Sequence, residues 1–202
     1  NVFTQLLIAN GALCITDILS WGLEGATFPG AYWVLQLSTL FYNISLVLIG
    51  ALWLIYCDNQ ILGRRKESKV RKIFYIFPLL LVVCVNVINI WTGWIFCYDA
   101  NNIYHRGEYY VIHIAAAVMY IVMAVGLVVI GAGGQEKAKA RESRALLGFI
   151  VAPAVTIGIQ AIHYGVSLIP FGISLSLLMI FLQRIIGRIT KDHLTGLDNR
   201  RV

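Results

Sequence analysis

Charged residues are scarce in this chain. They make up 13% of its 202 residues, whereas hydrophobic residues make up 59%. A soluble globular domain normally carries about a quarter charged residues. Prolines are also few, at four, and no Pro- or Ser-rich linker divides the chain. The composition therefore excludes a soluble enzyme and indicates a protein embedded in a membrane.

Acidic residues are the rarer of the two charged classes, with ten Asp and Glu against sixteen Lys and Arg. All the basic residues except Arg106 fall in three clusters, at 58–72, at 133–144 and from Arg184 onward. Basic residues that border hydrophobic spans stay on the cytoplasmic side. The clusters therefore predict one cytoplasmic face that contacts anionic lipid, and they do not indicate a nucleic-acid partner.

Long apolar runs take up the remainder of the chain. A helix needs about 20 mostly apolar residues to cross a bilayer. The pattern predicts an all-α, polytopic membrane protein in which both termini are cytoplasmic. We predict six spans, at Val2–Ser20, Tyr32–Tyr56, Ile73–Phe96, Tyr109–Ile130, Leu146–Tyr164 and Ser167–Ile189.

The loops on the side opposite the basic clusters are too short to form a sensing domain, so a ligand must bind at or within the helices. Ionisable and polar residues inside spans are costly and are therefore candidate functional residues. Two ordinary roles compete with binding: an interfacial aromatic belt and hydrogen bonds between helices. No metal site and no catalytic residue are predicted. The ligand-binding candidates are Asp17, Asn86, Asn89, Trp94, Glu108, His113, Gln160, His163 and Tyr164.

The sixth predicted span continues with an apolar repeat typical of paired helices. Leu178, Leu182, Ile185 and Ile189 recur at spacings of four, three and four, which is the pattern of a coiled-coil seam. The repeat is short, and ordinary packing within a helical bundle would produce it equally well. We predict a linker helix over 178–191 that follows a membrane bundle over 1–177.

The last eleven residues contain the string Asp192-His-Leu-Thr-Gly-Leu-Asp-Asn-Arg-Arg201. This D-x-L-T-G-L-x-N-R-R motif resembles the opening segment of GGDEF domains, the family that makes cyclic di-GMP from two GTP molecules. The resemblance implies that 192–202 begins such a domain, with Asp192 and Arg200 at its hinge to the linker. It also implies a homodimer, GTP and magnesium for the domain that follows, and a bacterial inner membrane.

Two functions follow from these patterns. The first is a membrane receptor that binds an external or membrane-borne small molecule and regulates an attached diguanylate cyclase, although residues 1–202 carry no catalytic group themselves. The second is a small-molecule transporter or channel whose C-terminal motif is coincidental.

Overall fold

The computed structural model describes residues 1–61, 69–132, 137–163 and 165–189. These residues form helices joined by short connections, with one β-hairpin between the third and fourth helices. The chain divides into two compact units, 1–144 and 145–202. The elements are α1 (Val2–Gly22), α2 (Ala31–Ile61), α3 (Lys69–Thr92), β1 (Phe96–Tyr98), β2 (Tyr104–Arg106), α4 (Tyr110–Ala132), α5 (Lys137–Ile162) and α6 (Ile169–Ile189).

Five helices in the described ranges are long and apolar enough to cross a membrane. They are Val2–Gly22, Ala31–Ile61, Lys69–Thr92, Tyr110–Ile130 and Ile169–Ile186. The apolar part of α5, Leu146–Ile162, is shorter and spans roughly 25 Å at 1.5 Å per residue. The prediction of an all-helical, multi-pass membrane protein is confirmed. The fifth predicted span stays a prediction.

The first unit is built around α2. This helix packs against α1, α3 and α4, and it is the most buried of the five apolar helices. Phe3 and Tyr56 place their rings 6.4 Å apart at one end of the α1–α2 pair, and the Ser20 and Thr39 hydroxyls are 3.3 Å apart at the other. The two helices are therefore antiparallel along their whole shared length.

A β-hairpin replaces the end of the third predicted span. We predicted helix up to Phe96, but α3 ends at Thr92 and Phe96 begins β1. Gly93 lies between them with φ +65°, a conformation that glycine adopts without strain. β1 pairs with β2 in antiparallel register, Phe96 opposite Arg106 and Tyr98 opposite Tyr104. The end of the first unit that carries these strands is called the hairpin end below.

Gly107 allows the chain to pass from the hairpin into α4. A Cβ atom at this position would overlap the carbonyl oxygen of Trp94, and it would lie 2.6 Å from that of Gly93. Both are backbone atoms, and the amide of Gly107 donates a 2.8 Å hydrogen bond to the Ile95 carbonyl, so the strand cannot move away without breaking that bond.

We therefore expect Gly107→Ala to lower the free energy of unfolding by about 2–3 kcal/mol, the range of overpacking effects. Gly126→Ala is the matched control, because nothing lies within 4 Å of its added methyl group and alanine favours helix by about 1 kcal/mol. Unfolding in mixed micelles, followed by tryptophan fluorescence, measures both variants. Equal stability of the two would contradict the tight approach seen at Gly107.

The second unit contains the antiparallel pair formed by α6 and the C-terminal part of α5. The Ser176 hydroxyl donates to the Phe149 carbonyl at 2.8 Å, which joins the two helices near their middle. At Gly172 the helices are so close that a Cβ would overlap the Thr156 side chain. Small residues therefore let the two backbones approach, as is common between membrane helices.

Candidate ligand-binding site within the membrane helices

Asn89, a predicted ligand-binding residue, hydrogen-bonds to the protein's own backbone. Its Oδ1 accepts from the amides of Ile95 and Phe96 at 2.6 and 3.2 Å, and its Nδ2 donates to the Phe96 carbonyl at 2.9 Å. The side chain is 1% exposed. Both ends of the amide are thus used to hold the chain reversal between α3 and β1.

The acidic residues at the hairpin end are also engaged in the fold. Glu24 accepts from the amide of Tyr104 at 2.9 Å, which attaches the loop after α1 to β2. Asp99 accepts from the amide of Ile103 and contacts the His105 ring at 3.2 Å. These hydrogen bonds, the one from Ile103 first, hold the pKa of Asp99 below its usual value. The Glu24 and Asp99 carboxylates therefore hold the loops at the hairpin end together.

An apolar cluster closes the hairpin end above the middle of the first unit. Ile95 and Phe96 are fully or almost fully buried and pack with Leu35 and Leu40 of α2. Tyr98 belongs to the same cluster, and its hydroxyl is 2.7 Å from that of Thr39. This cluster separates the deeper residues of α2, such as Asn43, from water at the hairpin end.

Below the cluster, polar side chains from three helices lie at one depth. Asn43 of α2 donates to Asn86 of α3 at 3.0 Å, and Asn86 donates to the Val82 carbonyl at 2.9 Å. A Cβ atom added at Gly50 of α2 would lie 3.1 Å from the side chain of Tyr120 of α4, so these two residues lie at the same depth.

Asn43 precedes Gly50 by seven residues on α2, and His113 precedes Tyr120 by seven residues on α4. Both helices begin at the hairpin end, so Asn43 and His113 lie about two turns, or roughly 10.5 Å, closer to that end than the Gly50–Tyr120 contact. A shift of seven residues almost restores the same helix face. Asn43, Asn86 and His113 are 4%, 1% and 3% exposed. These three residues are called the polar layer.

His113 is the unusual member of the polar layer. Neither ring nitrogen has a hydrogen-bond partner within the described ranges of the chain. An unsatisfied buried polar group costs about 1–3 kcal/mol, so a native structure that keeps one calls for an explanation. The ring stacks on Tyr110, with centroids 6.3 Å apart, and the Arg106 guanidinium lies 4.9 Å from the centre of the Tyr110 ring.

The remaining candidates of the first unit lie outside this layer. Asp17 of α1 is partly buried and interacts with another group of the protein, which is not His113. Glu108 is exposed, and Trp94 is half exposed with its ring 5.7 Å from that of Tyr109. The Trp94 position suits an interfacial aromatic residue.

The candidates of the second unit serve its own hairpin or lie at its surface. Gln160 Oε1 accepts from the amides of Leu168 and Ile169 at 3.0 and 3.2 Å, so this side chain caps the start of α6. His163 is exposed, and Tyr164 lies outside the described residues. These side chains are not shown to join the polar layer.

The predicted seam lies on a face of α6 that the second unit does not bury. Leu178, Leu182 and Ile185 are 51%, 47% and 37% exposed, whereas Ile173 and Leu177 are buried. Ile189 ends α6, but its side chain, like Asp192 and Arg200, lies outside the described residues.

An ion pair that was not predicted from the sequence lies at the end of the first unit opposite the hairpin. Asp58, 2% exposed, accepts a 2.9 Å hydrogen bond from Arg71 Nη2 through Oδ2, and its Oδ1 lies 2.9 Å from Arg71 Nε in the same ion pair. The Tyr75 hydroxyl donates to Asp58 at 3.4 Å. Tyr120 in turn donates to the Tyr75 carbonyl at 2.7 Å. An acidic residue beside a basic cluster was the available signal, but it was assigned to the loop.

Comparison with known proteins adds no relative. No family model, no curated protein and no solved structure matches this chain. In the described ranges, no group of three His, Cys, Asp or Glu side chains is placed to hold a metal ion.

Proposed function

We propose that this chain is the membrane sensor region of a dimeric diguanylate cyclase. The observation that carries the proposal is the D-x-L-T-G-L-x-N-R-R motif at 192–201, which follows an apolar helix without an intervening domain. In this proposal α5 is a sixth span, the hairpin end faces outward, and both termini are in the cytoplasm of a bacterial cell. The three basic clusters support that orientation.

The exposed apolar face of α6 supports a homodimer. Cyclic di-GMP synthesis needs two GTP molecules, each held by one GGDEF domain, so the mutual orientation of two domains controls the rate. A paired α6 would transmit a change in the bundle to those domains, if the bundle has two arrangements separated by a few kcal/mol. In a monomer, lipid would cover the same apolar face of α6. The oligomeric state therefore has to be measured.

The direct test is enzymatic. The full-length protein in lipid nanodiscs, supplied with GTP and magnesium, should form cyclic di-GMP, which chromatography detects. Absence of product would overturn the cyclase assignment. The alternative, a transporter or channel, would instead show solute flux in liposomes. It has less support, because in the described part of the first unit an apolar cluster closes the hairpin end.

A substitution on α6 tests the dimer. Ile185→Asn should lower cyclic di-GMP formation at least tenfold and shift the protein from dimer to monomer, since an amide in the seam would need a partner. Ile186→Asn is the control, because Ile186 is outside the predicted seam and 59% exposed. Cross-linking and product formation measure both variants. If both behave alike, the α6 seam does not mediate dimerisation.

A further inference from the structure

The polar layer has hydrogen-bonding capacity that the protein does not use. Asn86 accepts from Asn43 and donates to Val82, so it is satisfied at both ends. His113 is only 3% exposed, yet within the described chain neither of its ring nitrogens has a hydrogen-bond partner. A neutral imidazole has one N–H donor and one acceptor nitrogen. The layer therefore offers one donor and one acceptor, held in place by the stacked Tyr110 ring.

The surroundings favour an uncharged ligand, because in the described residues no ion pair involves His113 or lies beside it. Among described residues of the hairpin half, Arg106 is the basic side chain nearest in sequence to His113, and its guanidinium already lies over the Tyr110 ring. Asp17 of α1 has an interaction within the protein, and no hydrogen bond joins it to His113. A fatty acid or an amine would therefore be desolvated without a counterion, which is strongly unfavourable.

The route to the layer also limits the ligand. The cluster of Ile95, Phe96 and Tyr98 with α2 lies between the layer and the water at the hairpin end. By contrast, α3 and α4 contact each other much less than either contacts α2. A molecule dissolved in the membrane can reach the layer between α3 and α4, whereas a water-soluble metabolite would have to displace the hairpin.

We infer that the polar layer binds an uncharged, planar carbonyl compound from the membrane, of the quinone class. The His113 N–H donates to the carbonyl oxygen of the quinone. In the reduced ligand, the hydroquinone, a hydroxyl group donates to the other ring nitrogen. This inference deepens the proposed function, because it assigns a ligand class to the sensor.

Binding to the whole protein tests the inference without any enzymatic readout. Nanodiscs of phosphatidylcholine and phosphatidylglycerol, with and without protein, are titrated with decylubiquinone, and the retained quinone is measured after washing. We expect saturation at one molecule per chain above the empty-disc background. Non-saturable partition identical to that of empty discs would overturn the inference, and a buried water would then be the partner of His113.

Three variants locate the site. His113→Phe keeps the stacked ring but removes both hydrogen-bonding atoms, so we expect binding at least tenfold weaker. His163→Phe, the same change at an exposed histidine, should bind as the wild type does. If His113→Phe does not fold, His113→Gln retains a donor and an acceptor and should bind within about threefold of the wild type. Equal loss in both Phe variants would place binding elsewhere.

Competition separates the ligand classes. Palmitate and a long-chain amine should leave decylubiquinone binding unchanged, and displacement by either would overturn the uncharged assignment. The binding result is independent of the cyclase. Saturable binding that depends on His113, in a full-length protein that makes no cyclic di-GMP, would keep the ligand site and reject the output.

Discussion

Asp58→Ala should lower the free energy of unfolding by about 3 kcal/mol, near the lower end of the range for breaking a buried ion pair. The substitution removes the ion pair with the Arg71 guanidinium, including its 2.9 Å hydrogen bond from Nη2, and the hydrogen bond from the Tyr75 hydroxyl. The Arg71 side chain is 27% exposed, so part of its charge remains hydrated. That partial exposure is why we do not expect the largest values.

The double variant Asp58→Ala/Arg71→Ala isolates the pair. With both partners removed no unpaired charge is left, so we expect less destabilisation than the sum of the single changes. Lys69 is an exposed basic residue in the same turn of α3. Lys69→Ala should therefore change the free energy of unfolding by less than about 0.5 kcal/mol. The measurement is unfolding in mixed micelles. A loss at Asp58 no larger than at Lys69 would show that the pair does not hold α2 to α3.

The ion pair and the polar layer fit one register. Asp58 pairs with Arg71, and fifteen residues toward the hairpin end on α2, Asn43 pairs with Asn86, fifteen residues further along α3. Two antiparallel helices keep such pairs only if they run alongside each other without a shift. Both pairs therefore stabilise the same alignment, one at each end of the α2–α3 interface.

The helical spans were predictable because their signal is long and redundant. Runs such as Tyr32–Tyr56 carry many apolar residues, so the loss of any one changes nothing. The hairpin was not predictable in this way. Phe96 to Tyr98 continue the apolar run of α3, and periodicity does not distinguish helix from strand in so short a segment. Gly93 was the local signal that the helix stops.

Which polar residues serve the fold could not be derived from sequence either. Asn89 and Asn86 lie one turn apart on α3, yet Asn89 binds the returning backbone and Asn86 binds α2. The difference depends on where the chain goes after Thr92. The sequence does not distinguish His113 from His163, whereas in the fold His113 is buried and has no hydrogen-bond partner among the described residues.

The heptad spacing of Gln36, Asn43 and Gly50 on α2 was an available signal that we did not use. It places two buried amides and a glycine on one face of α2, where Gly50 lies against Tyr120 of α4 and Asn43 donates to Asn86 of α3. Gln36 Oε1 is itself without a partner within the described chain. A polar stripe on the most buried helix therefore indicates the helix interfaces at which we propose the ligand site.

Asn89→Ala should destabilise the protein by about 3 kcal/mol. The change removes three hydrogen bonds and leaves the amides of Ile95 and Phe96 and the Phe96 carbonyl without their partner. Each buried backbone group left unsatisfied costs about 1–3 kcal/mol, and some relaxation of the strand reduces the sum. The hairpin should open first, because β1 is held to α3 by this side chain.

Hydrogen exchange and unfolding distinguish this role from ligand binding. In Asn89→Ala the amides of Ile95 and Phe96 should exchange at least tenfold faster, whereas Asn101→Ala should leave them unchanged, because Asn101 uses only its backbone amide in the turn. Asn89→Asp keeps the acceptor but loses the donor to Phe96, so we expect an intermediate loss of stability.

A variant of Asn89 that unfolds like the wild type but no longer binds decylubiquinone would instead make Asn89 a ligand contact. Because the apolar cluster lies between the hairpin end and the polar layer, we expect water-soluble quinones to compete at the proposed His113 site in Asn89→Ala but not in the wild type.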